Sequence, residues 1–344
     1  MTLTLAAVGV AENVLVQIVK SLIIFAAVLQ IVPLILLLER KLLGRFQARI
    51  GPNRVGVYGL LQPLADVVKL ASKEQSTPAT AVPWMMALAP VISIVTAVAT
   101  LAIIPFGDVH DDPLFGAQWG LYGIDVSIGV LYAFAFGALA FYGLMLGGWA
   151  SGSKYSFLGS MRSAAQLISY EIALGLSLLG VVMMAGSLSL TEIVRAQGAA
   201  GDGIWYIVPQ FVGFVIFLIA GFAETNRPPF DLPEAEAEIV SGYNTEFGGM
   251  RFGSFFMAEY INMIVISGIA VAAFLGGWHG PGPAILDPFW VVLKMLLFIV
   301  LFIWVRATLP RLRYDQLMSF GWKILLPLAT LNALVTAIVV VAIH

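Results

Sequence analysis

Acidic side chains gather in one short stretch of this sequence, AETNRPPFDLPEAEAEIVSGYNTE, which covers residues 223–246. Around a single cation, Arg227, it places carboxylates at Glu224, Asp231, Glu234, Glu236, Glu238 and Glu246. Carboxylates that lie close together titrate as a coupled set, so their proton occupancy responds to any charge that arrives nearby. This pattern predicts a proton relay, and the alternative is an acidic face exposed to solvent.

Further acids lie within or beside apolar segments. Glu171 and Glu259 fall about eight and five residues inside such segments, or ~12 and ~8 Å deep at a helical rise of ~1.5 Å per residue. Glu39 and Glu224 stand at the ends of two others, and Asp66 lies in the connection that follows the first. An ionised carboxylate in hydrocarbon costs at least ~2.5–3.5 kcal/mol, so these acids must be protonated, paired or hydrated. Their position favours a relay, while pairing with Arg or Lys for assembly alone is the alternative.

The elements that must position these acids are membrane helices. Apolar residues make up 60% of the chain and charged residues 11%, against about 25% charged in a soluble domain. Apolar runs of about 20 residues recur, each long enough to cross a ~30 Å hydrocarbon core. We therefore predict an all-α, polytopic membrane helix bundle that forms a single integral membrane domain over residues 1–344. About eight transmembrane helices are expected, at approximately 14–38, 81–105, 125–149, 163–185, 205–223, 254–276, 288–309 and 322–343. The first is expected to be a retained span, because it is too long for a signal peptide.

Two connections between these runs have patterns of their own. Residues 59–74 place apolar and polar side chains on opposite faces of a helix too short to span, which predicts an amphipathic surface helix. This helix either lies against lipid or packs on the bundle as an ordinary surface helix. The acidic connection, residues 224–253, begins with prolines that cannot continue a helix, and a helix can restart near Pro233. Non-helical backbone beside a membrane is tolerated where it is buried in protein or lines a cavity.

The basic residues predict the orientation. Most of the 18 Lys and Arg residues lie in the first, third, fifth and seventh connections, whereas Lys20 and Lys294 lie within predicted spans. Lys and Arg concentrate on the cytoplasmic side of membrane proteins. We therefore expect these connections in the cytoplasm and both termini on the other side, which is the periplasm for the bacterial inner membrane.

Several kinds of redox site are not expected in this chain. It has no cysteine, which excludes disulfides and cysteine-ligated iron–sulfur clusters. Its histidines, His110, His279 and His344, fall outside the predicted spans at no ligand spacing, so a membrane haem is not expected. We find no glycine-rich nucleotide motif. The chain is thus predicted to bind no metal or cofactor and to have no catalytic residue of its own.

Several long blocks of the sequence resemble the H-subunit family of respiratory complex I, the proton-translocating NADH:quinone oxidoreductase. They occur in the family's order over nearly the whole chain, and comprise LERKLLGRFQARIGPNRVG (38–56), QPLADVVKL (62–70), GWASGSKYSFLGSMRSAAQLISYE (148–171), AETNRPPFDLPEAEAEIVSGYNTEF (223–247), MAEY (257–260) and RATLPRLRYDQLM (306–318). The resemblance implies a membrane subunit that helps form the quinone-binding chamber and couples quinone reduction to proton translocation. It implies quinone as the substrate, with the iron–sulfur clusters and FMN held by partner subunits. Implied partners are the hydrophilic quinone-site subunits, the antiporter-like membrane subunits and the lipid bilayer, but no nucleic acid.

The resemblance also assigns roles to positions of this sequence. The proton-relay positions are Glu39, Asp66, Glu171, Glu224, Glu234, Glu236, Glu238, Glu246 and Glu259. Positions expected near the quinone chamber or at subunit contacts are Arg40, Arg49, Arg54, Arg227, Phe230, Asp231, Arg306 and Arg311.

Two other functions are compatible with acids inside a membrane. The first is a stand-alone secondary transporter, such as a cation/proton antiporter, although such proteins often contain internal repeats and we see none here. The second is a structural anchor for a soluble electron-transfer module, in which the acids would serve assembly alone.

Overall fold

The computed structural model of the chain describes residues 14–111, 118–198, 203–232, 240–283 and 286–343. The predicted all-α membrane bundle is confirmed, with one short hairpin as its only sheet in these ranges. The helices are α1 (Val14–Phe46), α2 (Gln62–Ser72), α3 (Pro83–Leu101), α4 (Gly129–Ala150), α5 (Lys154–Ala185), α6 (Leu190–Ala196), α7 (Phe211–Glu224), α8 (Gly249–Phe274), α9 (Asp287–Thr308), α10 (Tyr314–Phe320) and α11 (Leu326–Ile343). A π-helical segment, Gly321–Leu325, joins the last two into one rod.

The hairpin pairs strands β1 (Val109–Asp111) and β2 (Gln118–Gly120) in antiparallel fashion. It lies in the connection between α3 and α4. We call the end of the bundle that carries the acidic connection and α2 the basic end, because the connections there hold most of the Lys and Arg residues. The hairpin lies at the opposite end.

Six helical segments among the described residues are long and apolar enough to cross a membrane: Pro83–Leu101, Gly129–Ala150, Lys154–Ala185, Gly249–Phe274, Asp287–Thr308 and Tyr314–Ala342. Two more helices, α1 and α7, stand where the first and fifth spans are expected. With 14 residues α7 is the shorter, since it begins at Phe211 rather than near residue 205. The preceding segment is not helical, because two of its backbone N–H groups bond to other parts of the chain. Tyr206 N–H donates to Gln197 Oε1 at 3.1 Å, and Ile207 N–H donates to Phe274 O at 2.9 Å.

The core of the bundle is built around α8. In the apolar 18-residue stretch of α8, 78% of the residues are buried, compared with 17% in that of α4. Helix α8 therefore lies inside the bundle and α4 at its edge. On one side α8 packs against α3 and on the other against α9, while α5 packs against α4, α7 and α11. Outward-facing side chains are largely apolar and exposed, for example Leu297, Ile338 and Val341. This is the surface expected of helices that are covered by lipid.

The surface helix α2 exposes its apolar face. Leu64 and Val68 are 61% and 60% exposed, and Val67 is exposed beside them. The opposite face is the one that contacts the bundle: Asp66 pairs with Arg40 of α1, and Pro63 is buried. What covers the apolar face stays a prediction.

Candidate functional site: a buried ion-pair cluster beside a carboxylate cavity

A cluster of charged residues with a buried centre at Glu39 and Arg227 lies at the basic end of the bundle. Arg227 is at its centre, with Nε 2.8 Å from Glu259 Oε1 and Nη1 3.5 Å from Glu39 Oε1. Glu39 also pairs with Arg306 and accepts a hydrogen bond of 2.6 Å from the Tyr260 hydroxyl. We call these five residues the Arg227 cluster.

Four separate elements bring the Arg227 cluster together. Glu39 lies on α1, Arg306 lies in the last turn of α9, and Glu259 and Tyr260 are consecutive on α8. Arg227 comes from the proline-rich start of the acidic connection, and its guanidinium lies 4.3 Å from the centroid of the Tyr260 ring. Buried charges require close partners of this kind, because removal from water costs several kcal/mol per ion.

The charge on Arg227 is maintained by its neighbours. Burial alone would lower the pKa of its guanidinium, but Glu259, Tyr260 and Glu39 together raise it above its ordinary value. Arg227 is therefore a fixed cation, in direct contact with the carboxylates of Glu39 and Glu259. This is the pairing that the assembly alternative anticipates for those two acids.

Next to the cluster, a cavity inside the bundle is lined by acids and amides. Its polar lining includes Glu171 of α5, Glu224 at the end of α7, Asn226, and Glu259 and Asn262 of α8. The space open to water is about 90 Å³. That is room for several water molecules, since one needs about 10–15 Å³ by this measure.

Glu171 and Glu224 differ from the acids of the Arg227 cluster. Neither forms an ion pair with a Lys or Arg in the part of the chain that the structure describes. Oε2 of Glu224 is buried and accepts no hydrogen bond from that part of the chain. Two like charges facing one cavity disfavour simultaneous ionisation, and burial disfavours it further. Two carboxylates in such surroundings are suited to gaining and losing a proton.

A second ion pair joins α2 to α1 at the rim of the bundle. Asp66 pairs with Arg40, lies 3.7 Å from Lys69 Nζ and accepts a hydrogen bond of 3.3 Å from the side chain of Gln62. The sequence places Asp66 in the relay and Arg40 at the chamber or a contact, and the structure brings them together at this rim.

The remaining predicted residues are more dispersed. Arg49, Arg54 and Arg311 are exposed, and Glu246 is half-buried on the acidic connection. The Phe230 ring packs inside the bundle, 5.6 Å from that of Tyr170, and Asp231 follows it in the chain. Glu234, Glu236 and Glu238 lie outside the described residues.

Gln166 is a site residue that the sequence reasoning missed. Its side chain is completely buried, and its Nε2 donates to Ala223 O at 2.7 Å and to Phe230 O at 2.8 Å. These bonds fix the first turn of the acidic connection to α5, one and a half turns from Glu171. An amide five residues before an acid, inside an apolar helix, is the signal that could have identified it. Tyr260, Asn226 and Asn262 were missed as well, although Tyr260 stands in the quoted MAEY block.

No group of three or more His, Cys, Asp or Glu residues in the described ranges is arranged to hold a metal ion. The buried polar groups form ion pairs, amide hydrogen bonds and a pair of carboxylates that face the cavity instead. Such an arrangement can hold fixed charges beside exchangeable protons.

Comparison with known proteins gives a consistent family. The NADH dehydrogenase family matches residues 19–337. The chain is 53% identical over 328 residues to an H subunit of NADH-quinone oxidoreductase from Geobacter metallireducens, covering 95% of this chain and 97% of that one. It is 52% identical over 307 residues to the H subunit from Thermomicrobium roseum, covering 88% and 89%, and 50% identical over 333 residues to the H subunit from Deinococcus deserti, covering 94% and 84%.

These relatives are named as subunits of an oxidoreductase, and they extend over almost the whole chain. The resemblance seen in the motifs is thereby confirmed, including the membrane character of the subunit. The chain belongs to the NADH dehydrogenase family and, within it, to the H subunits of NADH-quinone oxidoreductase.

Proposed function

We propose that this chain helps form the quinone-binding chamber of a proton-translocating NADH:quinone oxidoreductase and couples quinone reduction to proton movement. The observation that carries the proposal is the position of Glu171 and Glu224. Both line a cavity inside the bundle that is large enough for several water molecules, and neither has an ion-pair partner among the described residues. Acids at this depth without a fixed partner are able to gain and lose protons.

Electrostatics supplies the coupling. Two unit charges 10 Å apart interact by about 1.7 kcal/mol at an effective dielectric constant of ~20. One pKa unit corresponds to about 1.4 kcal/mol, so a charge that appears at this distance changes the proton occupancy of a carboxylate about tenfold. Reduction of a quinone places negative charge in the chamber before protons neutralise it. A short series of acids can pass this change towards other membrane subunits.

The acids of this chain divide between two roles in the proposal. Glu39 and Glu259 pair with arginines and keep Arg227 and the acidic connection in place. Glu171 and Glu224 are the exchangeable pair. Asp66 and the acids of the connection (Glu234, Glu236, Glu238 and Glu246) extend the series towards the rim.

The quinone tail reaches the bundle beside α2. The exposed apolar face of α2, with Leu64, Val67 and Val68, offers a surface for an isoprenoid chain. Exposed Arg49 and Arg54 lie in the same connection, where contact with hydrophilic partner subunits is expected. Those subunits supply the electrons from an iron–sulfur cluster and most of the bonds to the quinone headgroup.

The orientation of the protein follows from its basic residues. We infer that the basic end of the bundle faces the cytoplasm in the bacterial inner membrane and that both termini face the periplasm. The hydrophilic subunits then bind at the basic end, where α2 and the acidic connection lie.

The test compares Glu171→Gln and Glu224→Gln in the assembled complex. We expect both changes to lower coupled quinone reduction and proton pumping, because a glutamine cannot exchange a proton. Reduction of a water-soluble acceptor upstream of the quinone should be unchanged. Glu192→Gln is the matched control, since Glu192 is exposed at the opposite end of the bundle. Normal pumping in both cavity variants, with normal assembly, would contradict the proposal.

A structural anchor is the second candidate, favoured by the ion pairs of Glu39 and Glu259. It predicts that neutralising any of the four acids reduces the amount of assembled complex while leaving the turnover of each assembled complex intact. Measuring turnover per assembled complex separates the two functions. A stand-alone transporter would instead be active after purification without other subunits.

A further inference from the structure

Lys294 is a buried cation that the proposed coupling does not use. It lies in the outer half of α9, away from the basic end, and is 7% exposed. Its Nζ donates three hydrogen bonds to backbone carbonyls: 2.7 Å to Leu275, 2.8 Å to Gly277 and 2.7 Å to His279. The same nitrogen lies 4.4 Å from the centroid of the Trp205 ring.

The three carbonyls belong to the end of α8 and the turn that follows it. The last carbonyls of a helix have no partner within the helix and carry a partial negative charge. Gly276 and Gly277 adopt φ values of 66° and 49°, the left-handed conformation in which glycine is favoured, and this turns the chain back towards Lys294. A neighbouring carbonyl, that of Ala272, accepts a bond of 2.8 Å from Gln197.

The arrangement matches an ammonium ion in number and type of partners. An ammonium group has three donors, and here each one meets a carbonyl oxygen. An aromatic face lies against the same nitrogen and attracts a cation. No Asp or Glu of the described residues forms an ion pair with Lys294. Its charge is therefore compensated by carbonyl dipoles and the Trp205 ring.

We propose that the Leu275, Gly277 and His279 carbonyls and the Trp205 face form an ammonium site, and that its occupant, Lys294, sets the axial position of α8. This makes Lys294 a positioning residue for Glu259 and Tyr260, which lie on the same helix. The part of the inference that concerns activity rests on the proposed function. The ammonium site itself does not.

The connection to the Arg227 cluster runs through two rigid helices. Arg306 follows Lys294 by twelve residues on α9, about 18 Å along the axis. There it pairs with Glu39, to which Tyr260 of α8 donates. The helices α8 and α9 are thus linked near both ends by cations of α9. Releasing the outer link allows α8 to slide or turn relative to Glu39 and Arg227.

The first experiment measures hydrogen exchange in the assembled complex. Lys294→Met keeps the length of the side chain and removes the cation, and we expect faster exchange of the amides of residues 275–279. In the native protein these amides are bonded in the turn, for example Gly277 N–H to Val271 O at 2.9 Å and Gly276 N–H to Gln197 Oε1 at 3.0 Å. Lys323→Met, at an exposed lysine of the π-helical segment, is the matched control and should leave this exchange unchanged. Unchanged exchange in Lys294→Met overturns the ammonium site.

The second experiment is chemical rescue in detergent solution. Lys294→Ala removes the equivalent of propylammonium, so added propylammonium should restore slow exchange of residues 275–279, whereas 1-propanol should not. Equal rescue by both compounds would show that bulk alone matters and would overturn the ammonium site. This readout involves no quinone, so it is independent of the proposed function.

The third measurement concerns positioning. We expect Lys294→Met to lower the kcat of quinone reduction about tenfold, since small displacements of reacting groups have effects of that size or larger. Propylammonium should restore the kcat of Lys294→Ala, and reduction of the water-soluble acceptor should be unchanged throughout. A normal kcat in Lys294→Met, together with faster exchange at residues 275–279, would show that Lys294 caps α8 without positioning it. This result would overturn the positioning role of Lys294.

If Lys294→Met does not assemble, Trp205→Leu provides a milder variant. It removes the aromatic face and leaves the three carbonyl bonds in place. We expect an intermediate increase in exchange at residues 275–279 and a smaller decrease in kcat. Native exchange and native kcat in Trp205→Leu would show that the Trp205 ring is not part of the ammonium site.

Discussion

The Nε atom of Arg227 lies 2.8 Å from Oε1 of Glu259, and the side chains of the pair are only 4% and 18% exposed. The pair joins the start of the acidic connection to the central helix α8. The acids near this pair fall into two groups with different surroundings. Glu39 and Glu259 contact arginines, whereas Glu171 and Glu224 line a cavity beside them.

We expect Arg227→Met to destabilise the protein by about 3–5 kcal/mol, because it leaves the buried Glu39 and the partly buried Glu259 without their shared cation. The measurement is the thermal stability of the complex and the yield of assembled complex on native gels. Arg313→Met is the control, since Arg313 pairs with Asp315 on the surface, with 71% and 64% of the side chains exposed. A pair of that kind contributes about 0–1 kcal/mol. Equal losses of stability in the two variants would contradict the role assigned to Arg227.

Tyr260→Phe tests the hydrogen bond from the Tyr260 hydroxyl to Glu39, which is 2.6 Å long. Hydrogen bonds to charged groups contribute about 1.5–3 kcal/mol, and Glu39 keeps both of its arginines in this variant. We therefore expect a smaller loss of stability than for Arg227→Met, visible as a lower Tm of the complex. Tyr142→Phe changes an exposed tyrosine of α4 in the same way and should leave Tm unchanged. A native Tm in Tyr260→Phe would show that the bond adds nothing.

The fold could be predicted from the sequence because hydrocarbon imposes a simple rule. A segment that crosses lipid must be apolar and helical over about 20 residues, and both properties are readable locally. The start of α7 at Phe211 could not be predicted in this way. It depends on hydrogen bonds that Tyr206 and Ile207 donate to Gln197 and Phe274, which belong to other parts of the chain.

The candidate site was predictable in its residue types but not in its pairing. The depth of Glu171 and the sequence blocks identified most of the acids. Arg227 contacts Glu39, which lies 188 residues away in the chain. This contact results from tertiary packing and leaves no periodic pattern in the sequence. The same holds for Lys294, whose partners are backbone carbonyls and therefore have no residue type to recognise.

Gln166→Leu tests how α5 holds the acidic connection. The variant removes the donor to the carbonyls of Ala223 and Phe230 and leaves two buried acceptors without it. Both carbonyls keep a backbone donor, Asn226 N–H at 3.3 Å and Leu232 N–H at 3.1 Å, so the loss is that of two hydrogen bonds at about 0.5–1.5 kcal/mol each. We expect faster hydrogen exchange in residues 225–232 and lower coupled quinone reduction, because Glu224 and Arg227 lie in or next to this segment.

Gln166→Met is the informative companion to that variant. It preserves the length of the side chain and has no hydrogen-bond donor, so it should behave like Gln166→Leu. Native exchange and activity in Gln166→Met would show that shape rather than hydrogen bonding holds the connection. Proteolysis of the acidic connection in membranes gives an independent measure of its order.

Gly159→Ala tests the close approach of α5 to the end of the acidic connection. A Cβ atom at residue 159 would lie 2.7 Å from Gly242 Cα and 2.8 Å from Tyr243 N, which is backbone that cannot rotate away. We expect a loss of stability of about 1–3 kcal/mol, the usual cost of overpacking, and displacement of the short 3₁₀ turn Gly242–Asn244. In Gly175→Ala, on the same helix, the new Cβ atom would meet only the Phe134 ring at 3.7 Å, an ordinary contact. That control should be neutral or slightly stabilising, since alanine favours a helix over glycine. Comparable Tm values for the two variants would mean that the connection does not pack against α5 as described, and the cavity beside Glu171 would then lack one of its walls.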